Sequence, residues 1–399
     1  MRVSLAPSHL RLRPDEVRSS DRAPPLLSAA GPGIVLGGAD GEDGLARPIA
    51  PSASTLFGPR GVCLANATGP LFACDTGHHR LLIWNGLPNT DHAHADLLVG
   101  QRDFVREGRN AKGVTGPATL NVPTGVCAAD GVLAVADAWN HRVLVWHGYP
   151  TTSNQPADVV LGQADFGAGL ANRGADTARA DSLNWCYGVA IFDGRLIVAD
   201  TGNRRVLIWD GIPETNGAKA DLVLGQRDFN TRDEGAGEAG GATGMRWPHG
   251  ITLCGDLILV SDAGDNRVMA WLAWPTANGA PCRFVLGQAA VTELDHNRAA
   301  YYPTAGAMNM PYGLAVQGRR LLVADTANSR LLGFDLATLG MGADATWLAG
   351  QRSFADKGDN RWAPAVRDSL CWPYGVSACG STVAVADSGN NRILLWDAA

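Results

Sequence analysis

Short apolar runs rich in Val, Ile, Leu and Trp alternate along the chain with clusters of Gly, Pro, Asn and Asp. Within the runs the hydrophobic positions are nearly continuous, which predicts short β-strands buried on both faces. Four such runs fall at about 61–66, 71–75, 80–84 and 96–100, with turn residues between them, and the same group of four returns downstream. No apolar run reaches the length of a membrane-spanning helix.

The return has a fixed period. Asp75, Asp137, Asp200, Asp262, Asp325 and Asp387 stand 62 or 63 residues apart. An Arg follows each by five positions: Arg80, Arg142, Arg205, Arg267, Arg330 and Arg392. An aromatic residue follows by nine: Trp84, Trp146, Trp209, Trp271, Phe334 and Trp396. A Gly opens each unit (Gly61, Gly125, Gly188, Gly250, Gly313 and Gly375), and five units close on a Gly-Gln pair. Six copies of four short strands predict an all-β fold, a six-bladed β-propeller with four antiparallel strands per blade.

The sixth copy has no fourth strand, whereas residues 33–37 (GIVLG) sit one period ahead of the first Gly-Gln run. The expectation is an N-terminal strand that completes the last blade, closes the ring and removes an exposed sheet edge. Residues 33–399 then form the propeller and residues 1–32 a poorly ordered N-terminal tail. The first residues lack the apolar core of a secretory signal.

The segments Val135–Trp146, Val198–Trp209 and Val385–Trp396 share the pattern V-A-D-x-x-N-x-R-[VI]-L-x-W, and with the P-x-G upstream they resemble the NHL repeat. The resemblance covers about residues 33–399. Each unit is longer than the usual NHL repeat, the excess lying in connections of about 20 residues after the Gly-Gln pair, and His78 and Asp265 stand where other copies have Asn. The resemblance implies the propeller fold. Its relatives include protein-binding scaffolds, RNA-binding regulators, extracellular sensors and metal-dependent lyases and lactonases, so the fold alone does not assign a function.

A residue required six times serves the fold. The repeated Asp and Arg are expected to tie down the turn between second and third strands or to bridge to a neighbouring blade. Asn140, Asn203, Asn328 and Asn390 are expected at left-handed turn positions, and the repeated Trp between blades. Residues that do not repeat are the candidates for function. In an antiparallel blade the long connections and the Asp-to-Arg turns emerge on one face, which opens onto the central channel. Just before each blade-opening Gly stand Arg60, Thr124, Tyr187, His249, Tyr312 and Tyr374, with Trp185, Trp247 and Trp372 three residues before the Gly. This set is expected to ring the channel mouth, where π-faces, hydrogen-bond donors and one fixed charge suit a peptide, a carboxylate or a small polar ligand.

Composition narrows the choice. A net charge of −6 and long connections of mixed sign disfavour nucleic-acid binding. The expected ring offers His249 alone as a metal ligand, and the eight Cys residues show no zinc spacing. Asp233, Glu234, Glu238, Asp356, Asp359 and Asn360 do not match the spacing of a calcium loop and are expected to be solvated. No catalytic residue, metal or cofactor is assigned. Unpaired cysteines point to a reducing, cytoplasmic compartment. The reading that results is a non-catalytic platform whose long-loop face binds a protein, peptide or small polar ligand. A metal-dependent propeller enzyme and an RNA-binding NHL protein are the alternatives, and the oligomeric state stays open.

Overall fold

A computed structural model describes residues 22–38, 49–237 and 241–399. It contains six four-stranded antiparallel sheets and, among the described residues, only short 3-10 turns besides. The first blade pairs Val62–Leu64, Leu71–Asp75, Arg80–Trp84 and Leu97–Val99 in chain order, and the next four repeat it. The sixth runs Pro373–Cys379, Thr382–Asp387 and Arg392–Asp397, and then takes Ile34–Gly37 from the other end of the chain. Ile34 lies opposite Leu395 and Gly37 opposite Arg392, so the ring closes as the repeat period requires.

Second and third strands are buried on both faces because each blade packs against two neighbours. Between the second and third blades, Ala134, Val145 and Leu161 meet Val198, Leu207 and Trp209. The repeated Trp residues fill this layer. Their indole N–H groups also need a partner when buried, and each donates to a carbonyl nine residues on: Trp84 to Ala93, Trp146 to Gln155, Trp209 to Ala218 and Trp271 to Ala280.

The segment that receives the indole bond also covers the outer edge of the preceding blade. Asn154 donates its backbone N–H to Leu98 O and accepts the Gly100 N–H on its side chain. Asn216 and Gly217 cover Val160 in the same way, and Asn278 and Gly279 cover Val223. Sheet edges are thereby paired all round the ring. In the sixth blade the third and fourth strands come from opposite ends of the chain, so no connection joins them. Residues 24–28 take its place: Leu26 N–H donates to Leu348 O, Leu348 N–H to Pro24 O, and Trp396 Nε1 to Ser28 O at 2.9 Å. Leu26 and Leu27 are buried. Residues 23–28 of the expected tail are therefore hydrogen-bonded to the ring, because an edge strand and an indole both need them. Residues 1–21 of the expected tail lie outside the described residues.

The repeated Asp–Arg pairs hold the long-loop face together. Asp200 Oδ2 accepts from Arg205 Nε and from Asn203 Nδ2, both at 2.7 Å, while Oδ1 accepts the Asn184 N–H. The remaining Arg205 donors reach the carbonyls of Arg179 and Ser182 before the blade and Phe229 after it. Asp75–Arg80, Asp137–Arg142, Asp325–Arg330 and Asp387–Arg392 repeat the pairing at 2.7–2.8 Å. Each pair thus staples its own turn to the long connection before it, and Arg80, Arg142, Arg205 and Arg330 also reach the connection after it. Burial holds the carboxyls of Asp137, Asp200 and Asp387 above their ordinary range, against the pull of Arg142, Arg205 and Arg392.

The repeated Asn residues differ from expectation. Asn203 lies within the 3-10 turn, and the left-handed residue is the next one, Arg204, at φ 57°. The Asn amide is needed as a donor instead: Asn203 and Asn172 exchange side-chain hydrogen bonds across to the long connection, as do Asn140 with Asn110 and Asn390 with Asn360. Asn360 and Asp359, expected to be solvated, are engaged in this framework, Asp359 accepting from Ser329 Oγ at 2.8 Å. Glu238 lies outside the described residues.

Candidate binding site at the channel mouth

Five of the six innermost strands carry a β-bulge at their start, as at Cys186/Gly188 and Pro248/Ile251, and the first blade's does not. A bulge turns one side chain away from the pleat, and the residues at these bulges are Thr124, Tyr187, His249, Tyr312 and Tyr374. The Gly beside each has a steric reason. A Cβ at Gly188 would collide with the carbonyl oxygen of His249, and one at Gly375 with that of Arg60. Innermost strands therefore pass one another closely enough to bring the bulge residues together on the axis.

Five of the six expected residues meet there. Tyr312 and Tyr374 stack with centroids 4.1 Å apart. His249 packs against Tyr312 at 4.4 Å and Tyr187 at 4.9 Å. The Arg60 guanidinium lies over Tyr374 at 4.9 Å and Tyr187 at 5.8 Å. Thr124 is the exception: its hydroxyl donates to Tyr187 O at 3.0 Å, which ties two blades and leaves it unavailable to a ligand as a donor.

The cluster separates two cavities. Inward lies a channel space of about 300 Å³, walled by innermost strands and mostly apolar, with residues such as Val126, Ile191, Leu253 and Val376. Outward, on the long-loop face, lies a space of about 370 Å³ lined by Trp185, Trp247, Thr201, Gly202 and Arg204 over the same cluster. Among the described residues no Asp or Glu lines either one.

The charge state follows from burial. Burial lowers the His249 pKa to about 4, with Arg60 adding to the effect, so the ring is neutral near pH 7. Its Nδ1 donates to Trp247 O at 2.8 Å, which leaves Nε2 as an acceptor. Burial also raises the Tyr312 and Tyr374 phenols, which stay protonated. Burial opposes the charge on Arg60, but the phenols of Tyr374, Tyr187 and Tyr312 outweigh it and raise the guanidinium pKa. The cluster is a set of neutral donors and acceptors around one permanent positive charge.

Around the cluster runs a rim that sequence reasoning noted only in part. Val122, Trp185, Met310 and Trp372 all have φ between 47° and 55°, a conformation costly for any residue with a Cβ and most for Val. Their backbone N–H groups are latched to the turn of the preceding blade: Val122 to His79 Nδ1, Trp185 to His141 Nδ1, Met310 to Asn266 Oδ1 and Trp372 to Ser329 Oγ. Gly58 bonds Asn391 likewise. Five seams carry this latch. At the sixth, between third and fourth blades, the turn residue is Arg204, which has no acceptor, and Trp247 N–H bonds Asp262 instead.

The face beyond the rim is apolar for a solvent-facing surface. Trp139, Trp185, Trp247, Trp362 and Trp372 are all exposed, Trp362 by 74%, and all sit on long connections or turns of this face. Trp139 and Trp362 have no counterpart at equivalent positions in the other blades, which is the signal that could have picked them out. Among the described residues no group of three or more His, Cys, Asp or Glu is placed to hold a metal ion, and no helix is long and apolar enough to cross a membrane.

Comparison with known proteins agrees on the fold. The family model for the NHL repeat matches residues 120–146, the three inner strands of the second blade. Hydrazine synthase of Kuenenia stuttgartiensis is 11% identical, with a TM-score of 0.51 over 86% of this chain and 96% of that one. The WD40 β-propeller domain of Doa1 is also 11% identical, with a TM-score of 0.42 over 87% of this chain and 96% of that one. At such identity the likeness to hydrazine synthase is one of fold alone. The chain is a six-bladed β-propeller, and its second blade matches the NHL repeat. No curated protein matches its sequence.

Proposed function

We propose that this propeller is a non-catalytic binding platform that engages a protein or peptide partner on its long-loop face around the channel mouth. One observation carries the reading: a framework repeated six times stops repeating at this face. The side chains at the bulges and on the rim differ from blade to blade, while the Asp–Arg staples beneath them do not. Exposed Trp with clustered Tyr and Arg is the composition of binding hot spots. The strained rim conformations fit the same reading, since such strain collects where a surface must keep one shape. A cytoplasmic location goes with it, supported by eight cysteines that are all free thiols.

The test is capture from native extract, with three baits compared at matched thermal stability. Trp362→Ser and Trp372→Ser together should lose the partner that the unaltered chain retains. Arg319→Ala, beside the hairpin turn at Gly318 between first and second strands, should retain it. A partner kept by the Trp variant and lost by Arg319→Ala rejects the face.

A further inference from the structure

The missing latch and the outer cavity fall in the same place. Arg204 stands where His79, His141, Asn266, Ser329 and Asn391 each accept a backbone N–H from the next blade. The seam it leaves unlatched is the one whose turn (Thr201, Gly202) and rim residue Trp247 wall the cavity, with Trp185 reaching it from the latched seam before. Arg204 is only partly engaged: one terminal nitrogen donates to Arg232 O, another lies 3.9 Å from Glu234, and its Nε is buried without a hydrogen-bond partner.

The sign of the charges selects the ligand. Three Tyr and two Trp would by themselves suit a cation. Arg60 opposes that, because it sits over the Tyr rings and no carboxylate among the described residues lines the cavity to neutralise it. Two guanidinium groups, of which only Arg204 has an acid near it (Glu234 at 3.9 Å), attract an anion, and the planar guanidinium fork matches a carboxylate. A phosphate would bring nearly two charges and three acceptor oxygens against walls that are largely aromatic. The volume suits a small molecule or a chain terminus. We propose that this cavity binds a carboxylate carried on an apolar body, with Arg60 and Arg204 facing the carboxylate and Trp185 and Trp247 flanking the body. The inference rests on the channel mouth being a binding site and names the chemistry that site recognises.

Titration calorimetry on the full chain tests it with four probes: phenylacetate, phenylacetamide, phenethylamine and inorganic phosphate. Phenylacetate should bind at least about 10-fold more tightly than the other three, and more weakly as salt rises. Removing one partner of a charge-assisted bond predicts a loss of about 10- to 100-fold for Arg60→Met. Arg204→Asn should lose affinity as well, while folding normally, since Asn supplies the acceptor that the seam lacks. A peptide ending in Phe, with a free or an amidated C-terminus, then separates the sources. Preference for the free peptide over phenylacetate identifies a chain terminus, and the reverse a free acid. Equal binding of acid and amide, tighter binding of the amine or of phosphate, or indifference to both Arg substitutions overturns the carboxylate. If probe binding without charge preference still falls in Tyr312→Ala, the mouth survives as a binding site and only its chemistry is wrong. If no probe binds, this inference is overturned, and the platform is judged by partner affinity alone.

Discussion

Replacing Asp265 by Asn restores the residue that the equivalent turn carries as Asn140, Asn203, Asn328 and Asn390. In those blades the Asn amide donates to the repeated Asp carboxylate, at 2.7 Å from Asn203 to Asp200 for example. Asp265 cannot donate unless protonated. Its side chain is 4% exposed and lies against Asp262, and Arg267 is drawn between the two acids, 3.2 Å from Asp262 where the other blades show 2.7–2.8 Å. Burial, with the Asp262 charge behind it, pushes the Asp265 pKa up to about 7. A rise from 3.8 to about 7 corresponds to roughly 4 kcal/mol. Relaxation and water penetration reduce such buried penalties in proteins, so about 2 kcal/mol is the expected effect. Below pH 3.8 both folded and unfolded chains hold the proton and nothing is lost. Between 3.8 and about 7 the unfolded chain releases it while the folded chain keeps it, so the folded state loses stability as pH rises. Asp265→Asn should therefore raise the urea midpoint at pH 8 and change it little at pH 4. A gain at pH 4 as large as that at pH 8, or a loss at pH 8, refutes the reasoning.

Other outcomes follow from the same contacts. Leu26→Ala should cost about 3 kcal/mol, the usual loss for a fully buried Leu, and deletion of residues 1–28 should lower the melting temperature clearly, because it strips the Leu348 edge and the Trp396 indole of their partners. Arg205→Met removes one side of a buried ion pair and should cost about 3–5 kcal/mol in chemical denaturation. His249, held down to about 4, makes stability fall as pH drops from 6.5 toward 4, where only the unfolded chain takes up the proton; His249→Gln should flatten that part of the melting profile.

The ring and its closure were legible because they rest on period, and period survives in a single sequence. Asp75 to Asp387 marked six blades, and Gly37 lay one period before Gly100. The contacts of residues 24–28 were not legible, because covering an edge uses backbone groups and Pro24 to Ser28 carry no residue type that announces it. The bulge residues were legible from their position beside Gly, yet Thr124 looked like its neighbours on paper and only its bond to Tyr187 O separates it. Arg204 was hidden for a different reason. Its position looked like a turn that needs only φ above zero, whereas the next blade needs an acceptor there. That requirement exists only once blades are placed side by side.

The central claim is that binding energy is concentrated at the channel mouth. It is tested most directly by the affinity of the captured partner, by calorimetry, for the unaltered chain, Tyr312→Ala, Trp372→Ser and Arg319→Ala, all at matched thermal stability. Hot-spot truncation predicts a loss of about 2 kcal/mol, close to 30-fold, for each mouth substitution, with Arg319→Ala unchanged. Full affinity in both mouth variants together with a loss in Arg319→Ala would contradict the account.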